Sequence, residues 1–204
     1  MGKKRDFSVV ILAAGLSERM GEPKMFLKWN KLSFIENIVE GYINFGCRDI
    51  IVVLNERDKL QFEMLNLSGK GIKSVVNYHV ELGRFYSLKI GLTALSRIHH
   101  CFVNNVDNPF VELNVLTSMK NLVRDNNNVV PFSQGKKGHP VLISKEIIKN
   151  IIREKDFSLN LKKYLMDYDC VLCKVDSDNI HINVNTFEDY KRIIDDNKKY
   201  NLIS

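Results

Sequence analysis

Short apolar runs alternate with longer amphipathic segments along most of the chain. Residues 7–13 form a continuous apolar run, which is typical of a central strand covered on both faces. The next segment carries apolar residues at four-residue steps, as on one face of a helix, and Ser33 with Glu36 forms a capping box at its start. Residues 50–54 then predict a second buried strand. A strand, a crossover helix and a parallel strand in this order form a right-handed unit.

The same alternation continues to the end of the sequence. It predicts further strands over 72–76, 101–106, 129–132 and 140–143, and around residues 171 and 182. It predicts further helices over 57–67 and 85–98, from about 112, as a pair within 145–166, and over 187–195. This order predicts a layered α/β fold with a mostly parallel central sheet in a single domain spanning residues 1–204. Ligands of such folds bind at the carboxyl edge of the sheet, so the loops after the first, third and fourth strands are the candidate site.

The composition narrows the class of protein without choosing a function. The chain has 204 residues, 45% of them hydrophobic and 26% charged, which fits one folded domain rather than a disordered or disulfide-rich chain. Thirty Lys and Arg against 24 Asp and Glu give a net charge of +6, which favours anionic partners. The basic residues are dispersed in pairs without interleaved aromatics, so we expect no nucleic-acid partner.

The apolar runs and the cysteines indicate a cytoplasmic protein. The longest apolar run is about half the length of a membrane span, so no membrane partner is expected. The basic start at residues 3–5 lacks the extended apolar stretch of a signal peptide. All four cysteines lie in apolar segments, as buried thiols do. Cys170 and Cys173 form a C-x-x-C, but on a predicted strand residues three apart point to opposite faces, which disfavours a metal site.

The loop after the first strand, residues 12–24, has the features of a phosphate-binding loop. Its small residues let backbone amides approach a ligand, and Gly15 and Gly21 permit tight turns. Arg19 and Lys24 bring two positive charges to the same loop. It lacks the Gly-Lys-Ser/Thr of a Walker A loop and the G-x-G-x-x-G of dinucleotide-binding proteins. An ordinary strand-to-helix connection with solvated charges is the alternative interpretation.

This loop resembles the L-A-A-G-x-S-x-R-M-G-x-x-K signature of the MobA-like nucleotidyltransferases, which transfer a nucleoside monophosphate from a nucleoside triphosphate. Three further segments resemble that family in the same order: 77–91 its N-x-x-x-x-x-G-x-x-x-S-L-x-x-G, 106–109 its G-D-Q-P, and 138–142 the G-H-P-V-L of the molybdenum cofactor cytidylyltransferase branch. The resemblance covers about residues 7–192. It implies a three-layer, Rossmann-like nucleotidyltransferase fold.

The resemblance also implies a reaction and the residues that perform it. The reaction would transfer CMP from CTP to the phosphate of molybdopterin, with Mg²⁺ as cofactor and release of pyrophosphate. The loop reading L-A-A-G, with Ala14, accompanies cytidine enzymes in this family, whereas L-A-G-G accompanies guanosine enzymes. The implied catalytic residues are Arg19, Lys24 and Asp107. The implied nucleotide-binding residues are Leu12, Ala13, Ala14, Gly15, Ser17, Arg19, Lys24, Asn77, Ser87 and Asp107.

The implied acceptor and metal sites lie in the second half of the chain. Gly138, His139 and Pro140 would bind the acceptor, and Asp107 with Asn185 would hold Mg²⁺. A molybdoenzyme or its maturation factor would receive the product. The sequence departs from the family pattern where Val106 and Asn108 replace the Gly and Gln of G-D-Q-P. It departs again where Asn183 and Asn185 stand for the two Asp of D-x-D-T-P-E-D, which should weaken the metal site.

Several of these residues have a structural alternative. Asn77 has the donor and acceptors to read a cytosine edge, but it fits a turn residue equally well. Ser87 fits either a nucleotide contact or a hydroxyl at a helix start, and His139 either an acceptor contact or a structural histidine. The whole chain has alternatives too: an enzyme for a sugar phosphate, polyol phosphate or phosphocholine, or a non-catalytic nucleotide- or cofactor-binding accessory protein.

Overall fold

The computed structural model describes residues 7–67 and 71–201. The strands are β1 (Phe7–Ala13), β2 (Lys28–Trp29), β3 (Leu32–Ser33), β4 (Asp49–Asn55), β5 (Ile72–Asn77), β6 (His100–Asn105), β7 (Asn127–Ser133), β8 (Lys136–Lys137), β9 (Val141–Ile143) and β10 (Asp169–Lys174). The helices are α1 (Phe34–Phe45), α2 (Lys59–Glu63), α3 (Gly83–Thr93), α4 (Leu113–Leu122), α5 (Lys145–Arg153), α6 (Leu161–Tyr164) and α7 (Phe187–Asn201).

The main sheet has eight strands and is mostly parallel, as predicted. Seven of them follow the order β10-β7-β9-β6-β1-β4-β5, and β8 pairs with β7. The neighbours β6, β1, β4 and β5 are parallel, whereas β9 runs antiparallel between β6 and β7. At the centre, Ile11 of β1 is in register with Val52 of β4 and Asn104 of β6. The parallel half therefore places the ends of β1, β5 and β6 at one edge.

Helices cover both faces of this sheet, which gives three layers. The side chains of β1 alternate between the faces, as the pleat of a strand requires. Phe7, Val9 and Ile11 pack with the buried side of α1 and α4, and Val10 and Leu12 pack with that of α3 and α5. The apolar run of residues 7–13 is thus buried on both faces, as its sequence predicts. The three-layer, Rossmann-like fold is confirmed.

Two predicted helices are shorter in the structure. The helix predicted over 57–67 is α2, which covers only residues 59–63. The helix predicted over 85–98 is α3, which begins two residues earlier and ends at Thr93. Just beyond that end, the backbone N–H of Ser96 donates to the carboxylate of Asp49, which fixes the chain in a turn before β6.

The strand predicted around residue 182 is absent from the described part of the chain. Residues 179–181 form one 3-10 turn, and the next backbone groups bond to the loop after β6. Ile182 O accepts from the Asn108 side chain, and Val184 N–H donates to Asp107 O. Ile182 and Val184 alternate with polar residues because both pack on a small apolar cluster around Phe34, not because they belong to the sheet.

The cysteines agree with the sequence in part. All four are free thiols. Cys101 and Cys173 are buried and Cys47 is half-buried, but Cys170 is exposed, contrary to expectation. The reason is its place on the edge strand β10, whose alternation turns Cys173 inward and Cys170 to solvent. Within the described residues, no helix has the length and apolar character needed to cross a membrane.

Candidate functional site

A cleft of about 680 Å³ opens at the edge of the sheet where β1 and β6 end. Its walls come from the loop after β1, the segment leading into α3, the end of β6 and the residue Asn185 before α7. The lining residues are Leu12, Ala14, Gly15, Leu16, Ser17, Glu18, Lys24, Val80, Glu81, Gly83, Arg84, Ser87, Asn105, Val106, Asp107 and Asn185. The fold therefore gathers most of the predicted nucleotide- and metal-binding residues at one place.

The loop after β1 leaves space beside its backbone. A Cβ added at Gly15 would meet no atom within 4 Å, and the backbone there does not lie in the left-handed region. Neither packing nor conformation requires a glycine at position 15, so the space is available to a ligand. Ser17 does adopt a left-handed conformation, with φ of 53°, and its hydroxyl accepts a hydrogen bond of 3.3 Å from the backbone N–H of Lys24. That bond folds the loop back on itself.

Lys24 reaches across the cleft to a residue far away in the sequence. Its Nζ donates a hydrogen bond of 2.8 Å to Oδ1 of Asn185. The predicted catalytic lysine and one predicted metal-binding residue are therefore neighbours in the same cleft. Arg19 belongs to the same loop, but its side chain lies outside what the structure describes.

Asp107, just beyond the end of β6, carries an unsatisfied carboxylate oxygen. Its backbone oxygen accepts a 2.9 Å bond from Val184 N–H, which fixes the residue at the cleft. Its Oδ1 is buried and has no hydrogen-bond partner among the residues that the structure describes. Because a buried, unpaired carboxylate oxygen is unfavourable, this atom is suited to a cation.

The donor groups at the cleft fit a metal ion that arrives with its substrate. Within residues 7–67 and 71–201, no three His, Cys, Asp or Glu side chains gather as a metal site. What is present is the Oδ1 of Asp107 and the amide oxygen of Asn185, the latter already bonded to Lys24. Mg²⁺ is commonly held by one or two carboxylates, with phosphate oxygens and waters completing its octahedron. Asp107 can hold such an ion if a triphosphate supplies the other ligands.

Asn77 and Ser87 bond to each other in the structure. Asn77 is only 1% exposed; its Nδ2 donates to Ser87 Oγ at 2.9 Å, and its Oδ1 accepts from the backbone N–H of His79 at 2.8 Å. This is the turn role that its sequence position also allowed, and the base contact stays a prediction. Ser87 Oγ in turn donates to Gly83 O at 3.3 Å, within the first turn of α3. Ser87 still lines the cleft, whereas the side chain of Ala13 faces the α1 side of the sheet.

The segment 138–140 is packed into the protein beside the cleft. Gly138 N–H donates to Pro131 O and His139 N–H donates to Ile180 O. A Cβ at Gly138 would lie 2.6 Å from the side chain and the backbone oxygen of Ile180, so only glycine fits there. Pro140 is buried, and its peptide bond to His139 is cis. None of the three lines the described cleft directly, so their acceptor contacts stay a prediction.

His139 is held near the charged groups of the cleft as a neutral imidazole. Burial lowers its pKa, and the positive charges of Arg84 and His181 lower it further, although the carboxylate of Asp107 opposes them. Its Nδ1 is buried without a hydrogen-bond partner among the described residues. A neutral ring with an open nitrogen can donate or accept one hydrogen bond, but it supplies no charge.

Asn108 and Asn183, two residues at which this chain departs from the family pattern, are hydrogen-bonded to each other. Asn108 Nδ2 donates to Asn183 Oδ1 and to Ile182 O, both at 2.8 Å, and Asn183 Nδ2 donates to His181 O at 2.9 Å. An aspartate at position 183 would lose the bond to His181 O because a carboxylate does not donate. Asn183 therefore anchors the segment before Asn185 rather than offering a charge to a metal.

Arg84 is a residue of the cleft that the sequence motifs did not indicate. It follows Gly83 at the start of α3 and is exposed within the lining of the cleft. Although the side chain is open to the cleft, the surrounding walls partly desolvate its guanidinium and lower its pKa, whereas the negative charge of Asp107 raises the pKa in part. The sequence does contain a signal for Arg84, because a basic residue at the start of a helix on the ligand-binding edge is a candidate phosphate contact.

Solved structures share this fold. One is a protein from Mycobacterium tuberculosis, Rv0371c, with a TM-score of 0.78 and 20% identity over 93% of this chain and 98% of that one. A second structure of that protein, a complex with manganese, has a TM-score of 0.74 and 19% identity over 93% and 98% of the two chains. A third is the CTP:phosphocholine cytidylyltransferase from Streptococcus pneumoniae, with a TM-score of 0.64 and 18% identity over 92% and 97%.

Two curated relatives and a family model agree with these structures. The molybdenum cofactor cytidylyltransferase of Escherichia coli is 26% identical over 181 residues, 89% of this chain and 92% of the relative. The probable molybdenum cofactor guanylyltransferase of Bacillus mycoides is 29% identical over 196 residues, again 89% and 92%. The family model of the MobA-like NTP transferase domain matches residues 9–159. Because this model matches most of the chain, the chain belongs to the MobA-like NTP transferase family and is a nucleotidyltransferase.

Proposed function

We propose that this nucleotidyltransferase transfers CMP from CTP to the phosphate of molybdopterin and releases pyrophosphate. The observation that carries the proposal is the meeting of Lys24, Asp107 and Asn185 in one cleft beside the open backbone at Gly15. These groups come from the two halves of the chain. They provide a cation, a carboxylate oxygen and space for phosphates at one point.

The reaction needs positioning and charge neutralisation more than covalent help from the protein. An oxygen of the acceptor phosphate attacks the α-phosphorus, the bond from that phosphorus to the α,β-bridging oxygen breaks, and pyrophosphate leaves with the electron pair. Backbone amides of residues 14–17 bind the β and γ phosphates, and Arg19 bridges their oxygens. Lys24 leaves Asn185 and binds the α-phosphate as charge accumulates on it.

Asp107 would hold the divalent cation of the nucleotide through its unpaired Oδ1, and Asn185 would be a neutral second ligand. Mg²⁺ is the ion we assign, and when bound it neutralises phosphate charge and fixes the triphosphate's geometry. The manganese complex of the M. tuberculosis protein supports a divalent ion on this fold. Because only one of these two ligands is charged, the site depends on the triphosphate to complete it.

CTP is assigned because of the loop after β1. Its second alanine, Ala14, is 6% exposed and lines the cleft, where its methyl group narrows the floor beneath a base. The E. coli relative is named a cytidylyltransferase, which agrees with this choice of nucleotide. The Bacillus relative is named a probable guanylyltransferase, which does not. Competition between CTP and GTP in one turnover assay tests the choice. A clear preference for GTP would refute it.

Molybdopterin is assigned as the acceptor because one curated relative is named a molybdenum cofactor cytidylyltransferase and the other a probable molybdenum cofactor guanylyltransferase. The segment 138–142, which reads G-H-P-V-L, supports the same acceptor. The neutral His139 offers a hydrogen bond to the acceptor, and the exposed Lys136 and Lys137 of β8 attract its phosphate. The product passes to a molybdoenzyme or its maturation factor, in the cytoplasm.

Product identification tests the whole proposal. The pure protein is incubated with CTP or GTP, Mg²⁺ and molybdopterin, and the nucleotidylated product is identified by its mass. We expect the CMP adduct from the wild-type protein and from Asp125→Asn, which removes the same charge at an exposed ion pair with Lys145. Asp107→Asn should lower the rate on the order of 10²- to 10³-fold. Near-wild-type turnover by Asp107→Asn would contradict the assignment of this carboxylate.

A non-catalytic binding protein is the second candidate, and one contact favours it. Lys24 is hydrogen-bonded to the neutral Asn185, and Asn183 is hydrogen-bonded to the backbone of His181. Because both asparagines stand where the family pattern has Asp, the cleft has fewer carboxylates than that pattern provides. Such a protein would bind a triphosphate without releasing pyrophosphate. Pyrophosphate release in the presence of molybdopterin, phosphocholine or a sugar phosphate separates the binder from the enzyme and one acceptor from another.

A further inference from the structure

Arg84 is a cationic side chain of the cleft for which the family motifs give no role. It lies in the first turn of α3, one turn before Ser87, and is exposed within the lining of the cleft. Among residues 7–67 and 71–201, no carboxylate lies within ion-pair distance of its guanidinium. Lys24 differs, because its ammonium group is bonded to Asn185. Arg84 is therefore ready to bind an anion without first breaking a contact.

Arg84 and Asp107 line the same cleft. The charge of Asp107 acts on Arg84, and the charge of Arg84 acts on His139, the residue of the predicted acceptor segment. These three residues come from the start of α3, the end of β6 and the segment before β9, and they lie within electrostatic range of one another. In the proposed function, Asp107 binds the metal ion and His139 donates a hydrogen bond to the acceptor. Arg84 therefore supplies a positive charge close to both the metal ion and the acceptor.

The charges of the reaction require a cation at this place. An acceptor phosphate must approach a triphosphate that is itself strongly negative, and the two repel each other. Arg19, Lys24 and the metal ion all bind the triphosphate, and the neutral His139 adds no charge. Lys136 and Lys137 attract the acceptor, but they do not line the cleft. A guanidinium is planar and always protonated, and it binds a phosphate through two parallel hydrogen bonds, which fixes the orientation of the phosphate oxygens.

We propose that Arg84 binds the phosphate of the acceptor and turns one of its oxygens toward the α-phosphorus of the nucleotide. This inference rests on the proposed function and adds to it the residue that holds the nucleophile. Arg84 would touch the substrate, so it is a catalytic residue in the strict sense. Removing it should affect the acceptor far more than the nucleotide.

A binding experiment tests this without any turnover. The protein is saturated with Mg²⁺ and a non-hydrolysable CTP analogue, and inorganic phosphate is titrated as the probe. We expect Arg84→Gln to weaken phosphate binding by about tenfold or more and to change the analogue affinity by less than about threefold. Arg97→Gln is the matched control, since it removes the same charge at an exposed site beyond the other end of α3. It should behave as wild type.

Two results would overturn the inference. One is an unchanged phosphate affinity in Arg84→Gln, or a wild-type complex that shows no saturable phosphate binding. The other is a loss of analogue affinity as large as the loss of phosphate affinity, which would assign Arg84 to the triphosphate. Arg84→Lys keeps the positive charge but lacks the two parallel N–H donors of the guanidinium, so it should retain part of the phosphate affinity. Its thermal unfolding, with that of Arg84→Gln, checks that both variants fold.

Turnover separates this inference from the proposed function. With molybdopterin as acceptor, Arg84→Gln should raise the KM for molybdopterin by about tenfold or more and leave the KM for CTP nearly unchanged. If the wild-type protein forms no product with molybdopterin, the proposed function fails. The phosphate titration still decides whether Arg84 holds an acceptor phosphate.

Discussion

The loop after β1 and the segment 138–140 both contain a glycine of the family motifs, yet the surroundings of the two glycines are opposite. Gly15 stands beside empty space that opens into the cleft. Gly138 is pressed against Ile180, with no room for even a methyl group. The first glycine leaves open space in the cleft, and the second lets two segments of the protein approach each other. A motif residue can therefore belong to the framework as readily as to the site.

The polar residues of the two regions differ in the same way: one lines the cleft and the other is packed against the protein. Lys24 in the first region lines the cleft and bonds to Asn185, which a phosphate would replace in the proposed function. In the second region the backbone N–H of His139 donates to Ile180 O, and the Nδ1 of its ring is buried. We expect substitutions in the first region to reduce activity without unfolding the protein, and substitutions in the second region to reduce stability first.

The largest expected effect is that of Lys24→Ala. Removing the cation beside the α-phosphate should lower turnover on the order of 10²- to 10³-fold, because charge accumulates there in the transition state. The thermal unfolding temperature should change little, since the bond to Asn185 is partly exposed. Lys31→Ala, at an exposed turn between β2 and β3, is the control and should keep full activity. Wild-type turnover in Lys24→Ala would remove the phosphate loop from the mechanism.

Gly138→Ala should act in the opposite way. Its new methyl group would lie 2.6 Å from the backbone oxygen of Ile180, which cannot move without disturbing the turn around it. We expect the free energy of unfolding to fall by about 1–3 kcal/mol, as overpacked cores do. Triphosphate affinity, measured at a temperature where the variant is folded, should stay close to wild type. Unchanged stability in a denaturant titration would show that the segment is looser than its contacts indicate.

The sequence predicts the layers of the fold well because they depend on local patterns. The alternation of residues 7–13 specifies a strand covered on two faces, and Ser33 with Glu36 specifies the start of α1. In the structure the capping box at Ser33 has both of its hydrogen bonds. These features need no knowledge of distant contacts.

The sequence predicts less where function depends on contacts between distant segments. The side-chain amide of Asn77 donates to Ser87, and the side-chain amide of Asn108 donates to Asn183. A sequence motif cannot distinguish residues that make such internal hydrogen bonds from residues that contact a ligand. Arg84 was missed for the complementary reason, because it occupies a variable position of the family pattern. The bond between Lys24 and Asn185 was not expected either, since it joins two residues to which separate roles were assigned.

Asn185→Asp tests whether the residue across from Lys24 belongs to the metal site. A carboxylate would add a second charged oxygen for Mg²⁺, and we expect the Mg²⁺ concentration for half-maximal turnover to fall about tenfold. Asn121→Asp adds the same charge on an exposed face of α4 and should leave that concentration unchanged. An unaltered Mg²⁺ requirement in Asn185→Asp would indicate that this residue serves only to hold Lys24.

The smallest and sharpest test is Gly15→Ala, the same change as Gly138→Ala in the other region. The backbone at Gly15 suits an alanine and the space beside it is empty, so we expect the free energy of unfolding to stay level or rise by about 0.4–1 kcal/mol. If that space receives the triphosphate, the new methyl group should reduce CTP affinity by about threefold to tenfold, or about 1 kcal/mol. Equilibrium binding of CTP and a denaturant titration on the same sample measure both effects. Full CTP affinity in Gly15→Ala would mean that the nucleotide lies elsewhere in the cleft, and the two glycines would then no longer differ in function.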